Sequence, residues 1–290
     1  ISAVIKIIEA AIKIVVLIVS KNYVLFLAIS ILLTFSANVI RSKVVDKYYP
    51  WLKKNNQMLP KEERKDVFDN IKNIFIKSLS GKITNSTDNI LISVLVNTIQ
   101  VGIYSNYSLI MGVFRQVANQ IAYGGVGASL GNLLVTESKE RCQQVFYRLV
   151  YLFYIIGSVS CVAIFNCISP AILVWLKSED FLMTGSIVFI CCMNLFIEII
   201  NRPLWSIMEV SGLFRYDKYV SIAGSVVNLV VSVVVGMKIG IAGIFIGTFL
   251  TWFIQAVLKA KLLFQRKLQT SPKKYYLIMT GMFALTLAQL

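Results

Sequence analysis

Charged and amide side chains interrupt the apolar stretches of this sequence at positions that recur with helical spacing. From Ser78, steps of three or four residues reach Lys82, Asn85, Asn89, Ser93, Asn97 and Gln100, a polar stripe along one helix face. Asp88 lies one position off the stripe, with Thr84 one turn below it. Ser108, Gly112, Arg115, Asn119 and Tyr123 share a face in the same way, so two neighbouring stripes can meet. A third group reads "LFIEIINRPLWSIMEVSG". There Glu198 and Arg202 are spaced for an ion pair with the acid first, and Pro203 removes the next backbone donor, which predicts a kink suited to a moving helix. Lys6, Glu9 and Lys13 form a similar face, with Lys6 placed to snorkel to the interface.

Ionisable groups inside a bilayer are costly and tend to face a bundle interior or a watery route. The bases Lys6, Lys13, Lys77, Lys82, Arg115 and Arg202 outnumber the acids Glu9, Asp88, Glu198 and Glu209, six to four, so an anionic ligand would complete the balance. Such binding requires positive charge without a nucleophile. The plain structural alternative is that the stripes satisfy one another through interhelical hydrogen bonds of roughly 0.6–2 kcal/mol each. Five cysteines without metal-ligand spacing and the absence of histidine predict core thiols, no metal site and no cofactor. "GGVGASLG" at 124–131 lacks the strand and helix context of a nucleotide loop, and its small residues suit close helix approach. The sequons at Asn85 and Asn106 fall in or beside apolar runs and are chance matches.

The elements that position these residues are helices. Of 290 residues, 57% are hydrophobic and 15% charged, and the mean hydropathy is +0.73. An all-α polytopic membrane protein follows, because apolar stretches of about 20 residues span a bilayer and barrel-type alternation is absent. Nine spans are predicted, at 3–20, 23–42, 73–99, 103–136, 146–176, 181–210, 219–236, 239–258 and 275–290. The net charge of +15 is topological and does not point to nucleic acid, because the bases lie between spans. Connections 41–72, 137–148, 211–218 and 259–274 hold 20 of the 29 Lys and Arg residues, and the opposite set holds only Lys21, Lys177 and Lys238. Basic loops stay inside, so the chain starts on the cytoplasmic side.

Residues 1–42 are expected to end one lobe and 43–72 to form a cytoplasmic linker. Pro60, Glu62 and Glu63 predict a helix start there. Val67, Phe68, Ile71, Ile74 and Phe75 predict an amphipathic surface helix leading into the third span, with an ordinary solvated linker as the alternative. Residues 73–260 would form a six-helix lobe, and 261–290 a cytoplasmic loop and a truncated helix. A start at Ile1 and an end within "GMFALTLAQL" predict a piece of a longer protein. "IVVLIVSKNYVLFLAIS" lies without gaps on "LVVSVVVGMKIGIAGIF", a pointer to repeated lobes if it exceeds the general likeness of apolar hairpins.

"SGKITNSTDNILISVLVNTIQVGIYSNYSLI", "GASLGNLLVTES", "GLFRYDKY" and "GIAGIFIGTFLT" resemble the bacterial polysaccharide-unit flippases of the multidrug/oligosaccharidyl-lipid/polysaccharide exporter superfamily. The resemblance implies a two-lobe helical bundle of the MATE-like flippase type, with the nine spans as the fifth to thirteenth and the first four missing. It implies a non-enzyme in the bacterial cytoplasmic membrane. Its substrate would be polyprenyl-pyrophosphate oligosaccharide for capsule or another surface polymer, with membrane lipid and polysaccharide assembly proteins as partners. Arg115 would fork onto phosphate and Lys82 act as a point charge, while Asn85, Asn89 and Asn119 would meet sugar hydroxyls. Asp88, Glu198 and Arg202 are the candidates for coupling to H+ or Na+ or for gating. A drug/cation antiporter of the same superfamily, or a membrane-embedded transferase, are the competing readings.

Overall fold

The computed structural model describes residues 2–51 and 60–290, with the side chains of 2, 3, 61, 62, 66, 77, 80, 83–85, 125 and 128 left out of the description. Those residues are helical with short connections, and no strand occurs among them. The chain divides into two compact units, Ile1–Arg64 and Lys65–Leu290.

The first unit is a helical hairpin of α1 (Ser2–Ser20) and α2 (Tyr23–Tyr48). Lys21 takes a left-handed φ of 48°, and the Asn22 side chain caps α2 by accepting from the Val24 and Leu25 amides at 3.0 and 3.2 Å. Ala37 is buried, whereas Ile7, Ile18, Val24, Ile31 and Phe35 are exposed. Outward apolar faces of this kind suit lipid. In the ungapped overlay with the later hairpin, the left-handed residues Lys21 and Gly240 fall about one helical turn apart, so the two turns are not built at equivalent positions.

α3 (Lys61–Leu95) begins after Pro60, in the last residues of the first unit, and runs unbroken through the stretch expected to be amphipathic into the polar stripe of the second. α4 (Thr98–Asn119) continues as a π-turn over Gln120–Gly125, followed by α5 (Gly127–Thr136) and α6 (Lys139–Leu176). The expected kink is present: α7 (Gly185–Ile200) stops at Asn201, and α8 (Arg202–Val210) restarts with Pro203 near its beginning. α9 (Phe214–Ile239), α10 (Ile241–Leu263) with a π-turn at Phe264–Leu268, and α11 (Lys273–Leu287) complete the unit.

Five stretches among the described residues are long and apolar enough to cross a membrane: α2, α6, Gly185–Val210, α9 and Ile241–Leu268. This differs from the nine expected spans for physical reasons. Lys6, Glu9 and Lys13 charge α1, the polar stripe dilutes α3, and α11 has only 15 residues.

α7 is the axis of the core. Leu195, Phe196 and Ile199 are fully buried, because α6 and α10 pack on it and α4 adds a third wall. α9 and α10 approach with almost no space between their backbones. A Cβ on Gly243 would lie 2.5 Å from the Val235 carbonyl and 2.7 Å from the Gly236 nitrogen, and one on Gly247 would strike Ser232. Ser232 Oγ donates to the Ile244 carbonyl at 3.0 Å across this contact. Small residues let helices close to this distance, where hydrogen bonds between them become possible.

Candidate functional site

Four helices, α3, α4, α7 and α10, surround a cavity of about 290 Å³ that is polar over much of its wall. α3 contributes Asp88 and Asn89, α4 Ser108 and Arg115, α7 Asn194 and Glu198, and α10 Thr248. The two stripes therefore meet, but only over part of their length. α3 ends at Leu95, and Asn97 serves instead as the N-cap of α4, accepting from the Gln100 amide at 2.8 Å. An asparagine in extended backbone just before a helix satisfies an otherwise orphaned amide, so the lower end of the stripe is a turn.

Glu198 organises the charges. Arg115 Nε donates to Glu198 Oε2 at 2.8 Å, and Arg202 Nη2 donates to Glu198 Oε1 from the far side of the helix break. One carboxylate thus holds guanidiniums from two helices, each oxygen accepting one charge-assisted hydrogen bond. The pair with Arg202 follows the spacing read in the sequence. The pair with Arg115 joins residues 83 positions apart and had no local signal.

Asp88, a candidate for coupling, takes a neutral partner. It is buried and holds the Thr248 hydroxyl, whose Oγ1 lies 2.9 and 3.0 Å from its two oxygens. Asn228 Nδ2 donates to the same hydroxyl at 3.1 Å, so Thr248 must pass its single proton to the carboxylate. Asn194 Nδ2 donates to the Phe245 carbonyl at 3.0 Å and ties α7 to α10.

Of the other expected ligand residues, Asn89 reaches the cavity wall. Lys82 is exposed and is not part of that wall. Asn119 is partly buried, outside the cavity wall, and its Oδ1 has no hydrogen-bond partner among the described residues. The side chain of Asn85 lies outside the described residues.

A second cavity, of about 160 Å³, adjoins the first through shared Glu198 and Trp252. Its wall includes Arg202, Trp205, Glu209, Gln255 and Lys259. Asp217 and Lys259 were assigned to cytoplasmic connections. They are instead 1% and 5% exposed and form an ion pair at 3.0 Å. The reason is length: α9 and α10 extend beyond their apolar stretches, and their terminal turns pack together.

Thr248, Asn228 and Asn194 were missed as site residues. The available signal was their placement. Thr248 follows Gly247, Asn228 lies between Ser225 and Ser232 at helical spacing, and Asn194 is one turn before Glu198.

No family model matches the sequence, and no curated protein matches it. Among solved structures, an outward-facing conformation of a multidrug resistance MATE family transporter of the MOP superfamily is similar, with a TM-score of 0.58 and 18% identity over 70% of this chain. The chain spans 46% of that structure, less than half its length. At this identity the likeness concerns architecture: the chain has an all-helical fold matching part of a MATE-type transporter.

Proposed function

We propose that the chain is part of a bacterial cytoplasmic-membrane transporter that moves polyprenyl-pyrophosphate-linked oligosaccharide between leaflets, as a step in surface-polysaccharide assembly. The supporting observation is the cavity enclosed by α3, α4, α7 and α10. There Glu198 holds Arg115 on the same wall and Arg202 on the wall of the adjoining cavity, Asp88 supplies a second carboxylate, and Asn89, Asn194 and Ser108 line the wall with amide and hydroxyl groups. A triad of two cations and one anion carries a surplus positive charge. An incoming pyrophosphate would compete with Glu198 for Arg115 and Arg202, and the amides and hydroxyl would receive sugar hydroxyls. The prenyl tail would remain in lipid beside the exposed apolar helix faces. Alternating access would come from rocking of one lobe against another.

A drug/cation antiporter is the second reading, and one observation favours it. Asp88 is a buried carboxylate whose hydrogen bonds come from a neutral hydroxyl. In the flippase reading the same carboxylate is the candidate for coupling transport to H+ or Na+.

The test is reconstitution of the full-length parent in liposomes, with transbilayer movement of a polyprenyl-pyrophosphate oligosaccharide as the readout. Movement that is lost in folded Arg115→Gln supports the flippase. Absence of movement under imposed proton and sodium gradients, with export of a lipophilic cation instead, supports the antiporter.

A further inference from the structure

We infer that the smaller cavity beside the Glu198 triad is a subsite for one neutral hexose residue, an inference that rests on the saccharide-carrying reading. Its size comes first. About 160 Å³ is the room of roughly five waters, enough for a single pyranose ring.

Its walls come second. The Trp205 and Trp252 rings lie 5.0 Å apart, inclined at 47°, and both line the space. The Arg202 guanidinium and the Lys259 ammonium lie over the Trp205 ring, so the partly exposed Trp252 is the ring that packs on the apolar C–H face of a pyranose, and Trp205 offers its N–H. Between them the wall offers donors and acceptors of both kinds: the Arg202 guanidinium, the Lys259 ammonium, the Gln255 amide, the Ser221 hydroxyl, and the Glu198 and Glu209 carboxylates. A hydroxyl both donates and accepts, so a polyol uses such a mixture fully.

Its charge comes third, and it decides between ligand classes. Arg202 and Lys259 are matched on the wall by Glu198 and Glu209, and Asp217 also pairs with Lys259. A pyrophosphate entering here would face more carboxylates than cations. A neutral ligand faces no net penalty.

Two buried donors also lack an acceptor. Among the described residues Trp205 Nε1 and Arg202 Nε have no hydrogen-bond partner, although Trp205 is only 7% exposed. An unsatisfied buried donor is costly, and a ligand oxygen admitted by a small turn of the indole would remove that cost. The Arg202 guanidinium, 4.9 Å from the Trp205 ring centre, holds the indole in place.

The experiment is saturation-transfer difference NMR on the full chain in detergent micelles. The probes are methyl hexopyranosides of gluco, galacto and manno configuration and methyl N-acetylglucosaminide. Two variants attack the subsite differently. Trp205→Leu removes a wall, and Gly224→Ala introduces a Cβ that strikes the side chain of Gln255 and displaces that wall residue.

The expected result is transfer to the ring protons of at least one hexoside, reduced at least fivefold in both variants while each retains a cooperative thermal transition. Loss in Gly224→Ala alone also supports the subsite if Trp205→Leu fails to fold. No transfer from any probe, or transfer that ignores both variants, overturns it. The two readings separate in the liposome assay. Lipid-linked oligosaccharide movement with a variant-insensitive hexoside signal removes the subsite and leaves the flippase standing, and a variant-sensitive signal without movement does the reverse.

Discussion

Replacing Glu198 with glutamine should lower stability and raise anion affinity at once, a combination that a passive structural ion pair would not give. The substitution preserves shape and removes the charge that holds Arg115 and Arg202. Breaking a buried ion pair from one side costs about 3–5 kcal/mol, because the partner is left uncompensated. Here the side chains of Glu198, Arg115 and Arg202 keep 13, 26 and 11% of their exposure, and the Arg202 guanidinium still lies over Trp205. Water and the indole recover part of the loss, which brings the expectation to roughly 2–3 kcal/mol. For a unit of this size that lowers Tm by roughly 5–10 °C. Thermal unfolding can be followed with a thiol-reactive coumarin, since Cys142, Cys161, Cys191 and Cys192 are buried and Cys167 is exposed; Cys167→Ser lowers the background. Adding Arg115→Gln to Glu198→Gln removes one stranded charge and should recover about half of the loss, because residues in one network do not act additively. Affinity for inorganic pyrophosphate, measured by calorimetry, should rise about tenfold in Glu198→Gln, equivalent to about 1.4 kcal/mol. An unchanged Tm would refute the energetic role of the triad. A lowered Tm without tighter pyrophosphate binding would refute the claim that the arginines can reach a ligand.

Asp88→Asn keeps an acceptor for the Thr248 hydroxyl, so unfolding should stay within about 1 kcal/mol of the parent. The stimulation of transport by an imposed proton or sodium gradient should disappear; stimulation that persists excludes Asp88 from coupling. Gly243→Ala should cost about 1–3 kcal/mol, because the new Cβ meets the backbone of α9 rather than a movable side chain. Gly112→Ala, with nothing within 4 Å of its Cβ, should gain up to about 1 kcal/mol, and equal Tm shifts in the two variants would contradict the packing argument. Asn194→Ala removes the Nδ2 bond to the Phe245 carbonyl and should cost about 1–2 kcal/mol, a loss that an unchanged Tm would disprove.

The helical class, the break before Pro203 and the Glu198–Arg202 pair were legible because each depends on residues within one or two turns of one another. Apolar length, a missing backbone donor and a four-residue spacing are local quantities. Arg115–Glu198 and Asp88–Thr248 were not legible, since they join residues 83 and 160 positions apart. Their pairing depends on which faces α4 and α10 turn toward α7, and two apolar helices offer several equivalent rotations. The polar stripe misled at its lower end for a related reason. Asparagine at helical spacing can be a face residue or an N-cap, and only the end of α3 at Leu95 makes Asn97 a cap. Asp217 and Lys259 were misplaced because hydropathy marks where apolar sequence ends, whereas helices stop where their last turns cease to pack.

The excess of bases over acids in the spans also changes meaning once the residues are placed. Lys82 contributes to that excess from an exposed position, while around the cavities Asp88, Arg115, Glu198, Arg202, Glu209 and Lys259 interleave acid with base. The spaces that they line are linked. Glu198 and Trp252 are common to the first two cavities, and Gly81 and Glu209 join the second to a third beside Ile74 and Phe214. Along α3 this polar lining spans Asp88 to Ser78, about 15 Å of helix. A uniformly cationic route would hold an anionic carrier lipid tightly, and release would then limit turnover. In the proposed transporter, interleaved charges would provide pairs that a substrate enters one at a time, with each displaced partner returning as the substrate moves on. Binding that is favourable but weak at several sites is what passage through a membrane requires. The single surplus charge of the Glu198 triad therefore suits a step along a route better than a tight terminal site.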